Sequence, residues 1–187
     1  FETVVATELS VPLVLRLRSQ GLDARLVESP TAEHLGRDTF DVVFILNVLD
    51  RCKDPAAMLR QAASLLPPDG LLAVSVVAPP SQSDAVPGSP QRRWNVKGND
   101  FETAASSLAA DLFLPLGFTP IRLVRAPYLC AGDSYSPVAA LDACIVVLQP
   151  PHRAVPIQTS SSSVAAGTPP SGADPTRDGV VCTECAD

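Results

Sequence analysis

Two apolar runs constrain this chain more than any other feature. Residues 40–49, FDVVFILNVL, and residues 70–78, GLLAVSVVA, are nearly continuous rather than alternating in hydrophobicity. A strand with one wet face carries a polar residue at every second position, so an unbroken run reads as a strand covered on both faces. Between the runs, Asp54-Pro55 has the chemistry of a helix start. Met58, Leu59, Ala62, Leu65 and Leu66 then fall on one helical face, and Pro67-Pro68 ends the helix. Strand, helix and strand in that order, with both strands doubly covered, predict an α/β fold with a mostly parallel sheet.

The flanking sequence continues the alternation. TVVATE (3–8) and ARLVE (24–28) read as short strands. Between them Ser10 is placed to cap a helix that has Pro12 in its first turn and Gly21 at its close. Asp100 is placed to cap a second helix, with Phe101, Ala104, Leu108 and Leu112 on one face and Gly117 near its end. FTPIRLVRAPYL (118–129) and LDACIVVLQ (141–149) read as the last two strands of the sheet.

Two segments stand apart. Residues 78–93, APPSQSDAVPGSPQRR, predict a long loop inside the domain. From residue 151 to 187 the chain is rich in Ser, Pro, Gly and Ala. Such a stretch buries too little apolar surface to offset its ordering entropy, which predicts a disordered tail after a domain of residues 1–150.

Charge and cysteine content narrow the function. The formal net charge is −6, which argues against a general nucleic-acid binder, since that activity needs a basic face. No apolar run approaches the roughly 18–20 residues that span a bilayer. The five cysteines, Cys52, Cys130, Cys144, Cys182 and Cys185, are odd in number and widely spaced, unlike a disulfide framework. Cys182 and Cys185 form a lone CxxC. Zinc would need two further ligands, and the only histidines are His34 and His152, so no metal site is expected.

Polar residues at the carboxyl ends of the strands are the candidates for chemistry, because ligands of such sheets sit there. Glu8 ends the first strand. It is either an acceptor for ribose hydroxyls, as in nucleotide-binding α/β folds, or an acid favoured by the dipole of the helix that follows. A Gly-rich loop is expected about 20 residues before such an acid. The first glycine here is Gly21, so the fold is expected to lack its first strand and that loop. Asn47, Asp50 and Arg51 follow the central apolar run. They are either loop residues that pair and cap locally or groups facing a ligand. PYLCAGDSY (127–135) adds Tyr128, Asp133 and Tyr135, with Tyr128 open to a core role. No Ser-His-Asp or Cys-His arrangement is persuasive, because His34 lies in a polar segment and His152 in the tail.

Several of these segments together, ATELS (6–10), FDVVFILNVLDRCKDP (40–55), VKGNDFE (96–102), RAPYLCAGDSY (125–135) and LDACIVVLQP (141–150), resemble the DREV family over residues 1–150. The resemblance implies a class I S-adenosylmethionine-dependent methyltransferase, Rossmann-like, with a C-terminal antiparallel strand. It further implies a protein-L-histidine N-pros-methyltransferase acting on Nδ1 of histidine in His-x-His segments of substrate proteins. By the same resemblance Glu8 matches the acid for the cofactor ribose, Asn47 and Asp50 the pair that holds the target imidazole, and Tyr128 a tyrosine of that pocket. Asn47 is also expected to border the cofactor, S-adenosyl-L-methionine. Family likeness alone suggests an intracellular compartment, endoplasmic reticulum or mitochondrion. Two other readings are a non-catalytic methyltransferase-like scaffold that binds partners and another α/β nucleotide enzyme.

Overall fold

The computed structural model describes residues 1–28, 30–36, 39–79, 96–131, 137–151 and 180–184, the last five as backbone only. The predicted long loop is described only to Pro79. Asp133, Tyr135, His152, Cys185 and residues 152–179 of the expected tail lie outside the described residues.

The elements run β1 (Val4–Glu8), α1 (Val11–Ser19), β2 (Asp23–Leu26), α2 (Ala32–Leu35), β3 (Val42–Leu46), α3 (Pro55–Ser64), β4 (Leu71–Val77), α4 (Phe101–Ser107), β5 (Thr119–Ala131), β6 (Val138–Gln149) and β7 (Val180–Glu184). They build one seven-stranded sheet in the order β2-β1-β7-β3-β4-β6-β5. β6 pairs antiparallel with both β4 and β5, while every other pairing is parallel. The α/β class, the mostly parallel sheet and the C-terminal antiparallel strand are as the sequence predicts.

Local chemistry explains the helices. Asp54 accepts a hydrogen bond from the Ala57 N–H at 2.9 Å, and Pro55 stands in the first turn of α3, where a missing N–H costs nothing. Asp100 does the same for α4 through the Thr103 N–H at 2.8 Å. Ser10 precedes α1 in extended conformation, but its side chain makes no capping bond. Gly117, at φ +82°, closes the turns that continue α4 through Leu116. The single turn α2 is not apparent in the sequence pattern. It is held by Thr31, whose hydroxyl accepts the His34 N–H at 3.3 Å, and by the buried Leu35.

α3 and α4 cover one face of the sheet. Leu59, Leu65, Leu72, Val74, Leu108, Phe113 and Leu148 are all at most 1% exposed, and Val5 of β1 joins this main core. α1 lies over β1 and β2, where Val14 packs with Ala6 and Ala24 in a separate small cluster.

One expectation is corrected. Residues 180–184 are not part of a structureless tail. They form β7, inserted between β1 and β3 at the middle of the sheet. The run Val180-Val181-Cys182-Thr183 is β-branched at three of its four positions, which suits a strand, but it is too short to stand out from its Ser/Pro-rich surroundings.

Leu59→Ala tests the core. Removing a fully buried leucine from the face of α3 should lower unfolding free energy by about 2–5 kcal/mol. The exposed neighbour change Arg60→Ala should shift it by less than about 0.5 kcal/mol. Urea denaturation of both variants measures the difference.

Candidate functional site

The carboxyl ends of β1, β3 and β4 share one rim of the sheet. At the end of β1, Glu8 is only 5% exposed. Its Oε1 accepts the backbone N–H groups of Leu9 at 2.6 Å and Ser10 at 2.8 Å. These are the last donors before α1, so the carboxylate does what a helix-entry acid does. It also lines a cleft, so the two sequence readings of Glu8 are compatible.

The cleft has a volume of about 360 Å³ and is enclosed mainly by apolar groups, among them Val27, Pro30, Val43, Val48 and Met58. Glu28, Arg51, Lys53 and Asp54 also line it. Its size is in the range of small-molecule sites, about 300–1,000 Å³. The ion pair of Lys53 and Glu28, at 4.0 Å with both side chains largely exposed, contributes little to holding it together.

Asn47 turns the chain off β3. Its φ of +52° lies in the left-handed region, which asparagine tolerates better than most residues. Two bonds to Ser75 of β4 fix the turn. The Asn47 N–H donates to the Ser75 carbonyl at 2.8 Å, and the Ser75 hydroxyl donates to Asn47 Oδ1 at 2.9 Å. Val48 and Leu49 then bury themselves, and the N–H groups of Arg51 and Cys52 both donate to the Val48 carbonyl at 3.0 Å. The apolar pair is pulled inward and Arg51 is left exposed, with Asp50 half-buried between them. This tight turn explains why polar residues interrupt an apolar run at its end.

The same turn separates two surfaces. Arg51 and Cys52 line the cleft, whereas Asn47 and Asp50 do not. Asp50 lies close enough to Tyr128 of β5 to influence its ionisation. Burial is the main cause that holds the Tyr128 phenol above its usual value; Cys130 and Asp50 add to this, and Arg51 opposes it. The structure therefore brings Asp50, Arg51 and Tyr128 within electrostatic range and places Glu8 and Asn47 at the ends of β1 and β3. Asp50 keeps Oδ1 shielded from solvent.

Sequence reasoning missed Ser75, the buried Thr7 that lines the cleft beside Glu8, and the apolar wall of the cleft. Ser75 had a signal, being the one polar residue inside the strand LLAVSVV. Met58 was assigned to the helix core, and it both packs against that core and lines the cleft. His34 is exposed, its Nδ1 paired with the Thr31 hydroxyl at 3.0 Å. Among the described residues no cluster of three His, Cys, Asp or Glu side chains is placed to hold a metal ion. No described helix is long and apolar enough to cross a membrane.

Solved structures share this architecture. The protein studied for the conversion of a disulfide bond into a thioacetal group during echinomycin biosynthesis aligns with a TM-score of 0.51 at 11% identity, over 80% of this chain and 76% of that one. The CurJ carbon methyltransferase aligns with a TM-score of 0.50 at 17% identity, over 80% of this chain and 42% of that one. The sheet order, the strand-end acid and the cleft beside it define a class I S-adenosylmethionine-dependent methyltransferase fold. The DREV methyltransferase family model matches residues 1–150, and the chain belongs to that family. Its methyl donor is accordingly S-adenosylmethionine. The described residues suit the adenosine part of that donor: a buried acid for a diol stands beside apolar walls for a flat ring.

Cys52 lines the cleft, but burial disfavours its thiolate. Burial pushes its thiol up to about 11, and its Sγ–H donates to the Leu49 carbonyl at 3.2 Å. Two units above the ordinary value leave about a hundredfold less thiolate at pH 8. Iodoacetamide should therefore modify Cys52 about 100-fold more slowly than an unhindered cysteine, with the rate rising tenfold per pH unit up to about pH 11. Peptide mass mapping of a time course measures both.

Proposed function

We propose that this protein transfers a methyl group to the pros nitrogen, Nδ1, of histidine in His-x-His segments of partner proteins. The observation that carries the reading is the gathering of Asp50, Arg51 and Tyr128 near the ends of β3 and β5, with Arg51 also lining the cleft and Asp50 and Tyr128 outside its lining.

The cleft beside Glu8 is the donor site in this reading. Glu8 Oε2 is the atom for a ribose hydroxyl, since Oε1 is occupied by the entry to α1. Val27, Pro30, Val48 and Met58 supply apolar contact to the adenine. Once bound, S-adenosylmethionine contributes an electrophilic methyl group.

The chain's own residues select the acceptor atom. A neutral imidazole is already nucleophilic and needs no strong base, but it needs one tautomer. Nδ1 must keep its lone pair, so Nε2 must carry the proton. The Asp50 carboxylate accepts that Nε2–H and holds the ring with Nδ1 bare. Alkylation of Nδ1 makes the ring cationic, and the same carboxylate stabilises the charge as it grows. Asn47, pinned by Ser75, fixes where the chain leaves β3 and so where Asp50 stands. Tyr128 closes the pocket, its phenol kept protonated by burial and by the nearby carboxylate. The remainder of the rate comes from proximity.

A second reading, a scaffold that binds partners without catalysis, has one observation in its favour. Among the described residues, the strand between β1 and β3, Val180–Glu184, carries no glycine of the kind that lets a backbone approach a ligand closely.

Calorimetry with S-adenosylmethionine separates the readings, and a methyl-transfer assay on a His-x-His peptide tests the first. Asp50→Asn should lower turnover by about 10²–10³-fold while donor affinity changes less than about threefold. Mass spectrometry should place the methyl group on Nδ1. Unchanged turnover would remove Asp50 from the mechanism. Methylation of a different residue type would end the histidine reading. No detectable donor binding, together with no transfer, would favour the scaffold.

A further inference from the structure

Two hydrogen bonds join Asn47 to a single residue, and together they fix more than the turn. Leu46 and Ser75 are the last paired residues of β3 and β4. One step beyond, the Asn47 N–H donates to the Ser75 carbonyl at 2.8 Å, and the Ser75 hydroxyl donates to Asn47 Oδ1 at 2.9 Å. The first bond holds the backbone of Asn47 and the second holds its side chain. Ser75 is only 6% exposed, so its hydroxyl has little water to turn to.

A carboxamide is planar, with an acceptor oxygen on one branch and a nitrogen bearing two N–H donors on the other. The branches diverge, so an oxygen held against Ser75 leaves the nitrogen directed away from it. Among the described residues no hydrogen bond engages Asn47 Nδ2. Asn47 is half-buried at the carboxyl end of β3 and stands outside the lining of the cleft. Half a turn of the amide would keep its shape and reverse its polarity, with Ser75 then accepting from Nδ2.

We infer that Ser75 is a positioning residue: its hydroxyl turns the Asn47 amide oxygen into the sheet and the nitrogen outward, so that Asn47 meets a bound molecule as a hydrogen-bond donor. The group it takes is an oxygen acceptor, a carboxylate or a carbonyl. With the nucleoside in the cleft, that oxygen belongs to the amino-acid end of the methyl donor or to the main chain of a target peptide. The choice between these rests on the function proposed above; the orientation of the amide does not. On that function the work at the rim divides. A ring Nε2–H needs an acceptor, which Asp50 is and an inward-turned amide oxygen is not. The bare Nδ1 is no partner for Asn47 either, since an N–H on that lone pair would block the attack.

Nuclear magnetic resonance of the full-length chain tests the orientation without a ligand. The two side-chain N–H groups of Asn47 should exchange with water within about fivefold of each other, in the intact protein and in Ser75→Ala alike. One of them slowed by more than about tenfold in the intact protein, and released in Ser75→Ala, would place Nδ2 on Ser75 and overturn the inference.

Ligand binding tests the consequence. Ser75→Ala frees the amide to rotate and should weaken the binding step that Asn47 serves by about 3–10-fold. Ser75→Thr keeps the hydroxyl and should restore that step to within about twofold. Should threonine not fit, Ser75→Cys offers a weaker S–H donor and should fall between the two. Asn47→Asp tolerates the positive φ and still accepts from Ser75, but sets an oxygen where the donor stood; it should weaken the same step by more than about tenfold. Calorimetry with S-adenosylmethionine and the KM of a His-x-His peptide separate the two sources. Weaker donor affinity at unchanged KM assigns the oxygen to the donor's carboxylate. Raised KM at unchanged donor affinity assigns it to the peptide carbonyl. Donor affinity and KM both unmoved in Ser75→Ala would sink the inference, as would an equal loss of both that threonine does not restore. If the unaltered chain binds neither ligand, the function proposed above fails, and the exchange measurement still decides the role of Ser75.

Discussion

The turn at Asn47 is the constraint on which the arrangement of this site depends. β3 buries Val43 and Ile45 on one face and only partly covers Val42, Phe44 and Leu46 on the other, unlike the doubly covered strand that its apolar run predicts, and polar groups at the end of such a strand need partners as the chain leaves. Asn47 meets the requirement with its backbone and its side chain together. It adopts a left-handed conformation that shifts the chain direction, and it exchanges two hydrogen bonds with Ser75. Everything after it follows from that anchor. Val48 and Leu49 return to the core, Arg51 and Cys52 face the cleft, and Asp50 stays within range of Tyr128.

Arg51 and Cys52 line the cleft and Asp50 does not, so neighbouring residues of one short turn stand in different surroundings. Donor and acceptor must be held apart except at the atoms that react. An apolar wall beside a buried acid favours a nucleoside. Burial holds the Cys52 thiol of the cleft well above the ordinary range. The fold thus supplies two environments from residues that are close neighbours in sequence.

Much of this was legible in the sequence. The runs 40–49 and 70–78 become β3 and β4, the caps Asp54 and Asp100 make the bonds their types suggest, and Glu8 falls at a strand end. These features are local, because they follow from periodicity and from hydrogen bonds spanning a few residues. Ser75 was hidden because its partner is 28 positions away. The cleft was hidden because its walls come from β1, the segment after β2, and α3. The single turn α2 was hidden because four residues are too few to show a period. The central strand β7 was the largest surprise. Its composition is diluted by the stretch around it, and its pairing partners lie at the other end of the chain.

By itself, then, the sequence determined the class of the fold, the order of its strands and helices up to residue 150 apart from the single turn α2, and which polar residues stand at strand ends. Those follow from hydrophobic patterning and from caps, which act over one or two turns of chain. Only the tertiary structure decided that Asn47 is pinned by Ser75, that Asp50 and Arg51 come within electrostatic range of Tyr128 while Arg51 also lines the cleft, and that residues 180–184 pair at the middle of the sheet. Each of those is a pairing between segments distant in sequence, and such pairings are selected by the need to satisfy buried backbone and polar groups at once, a condition no local window contains.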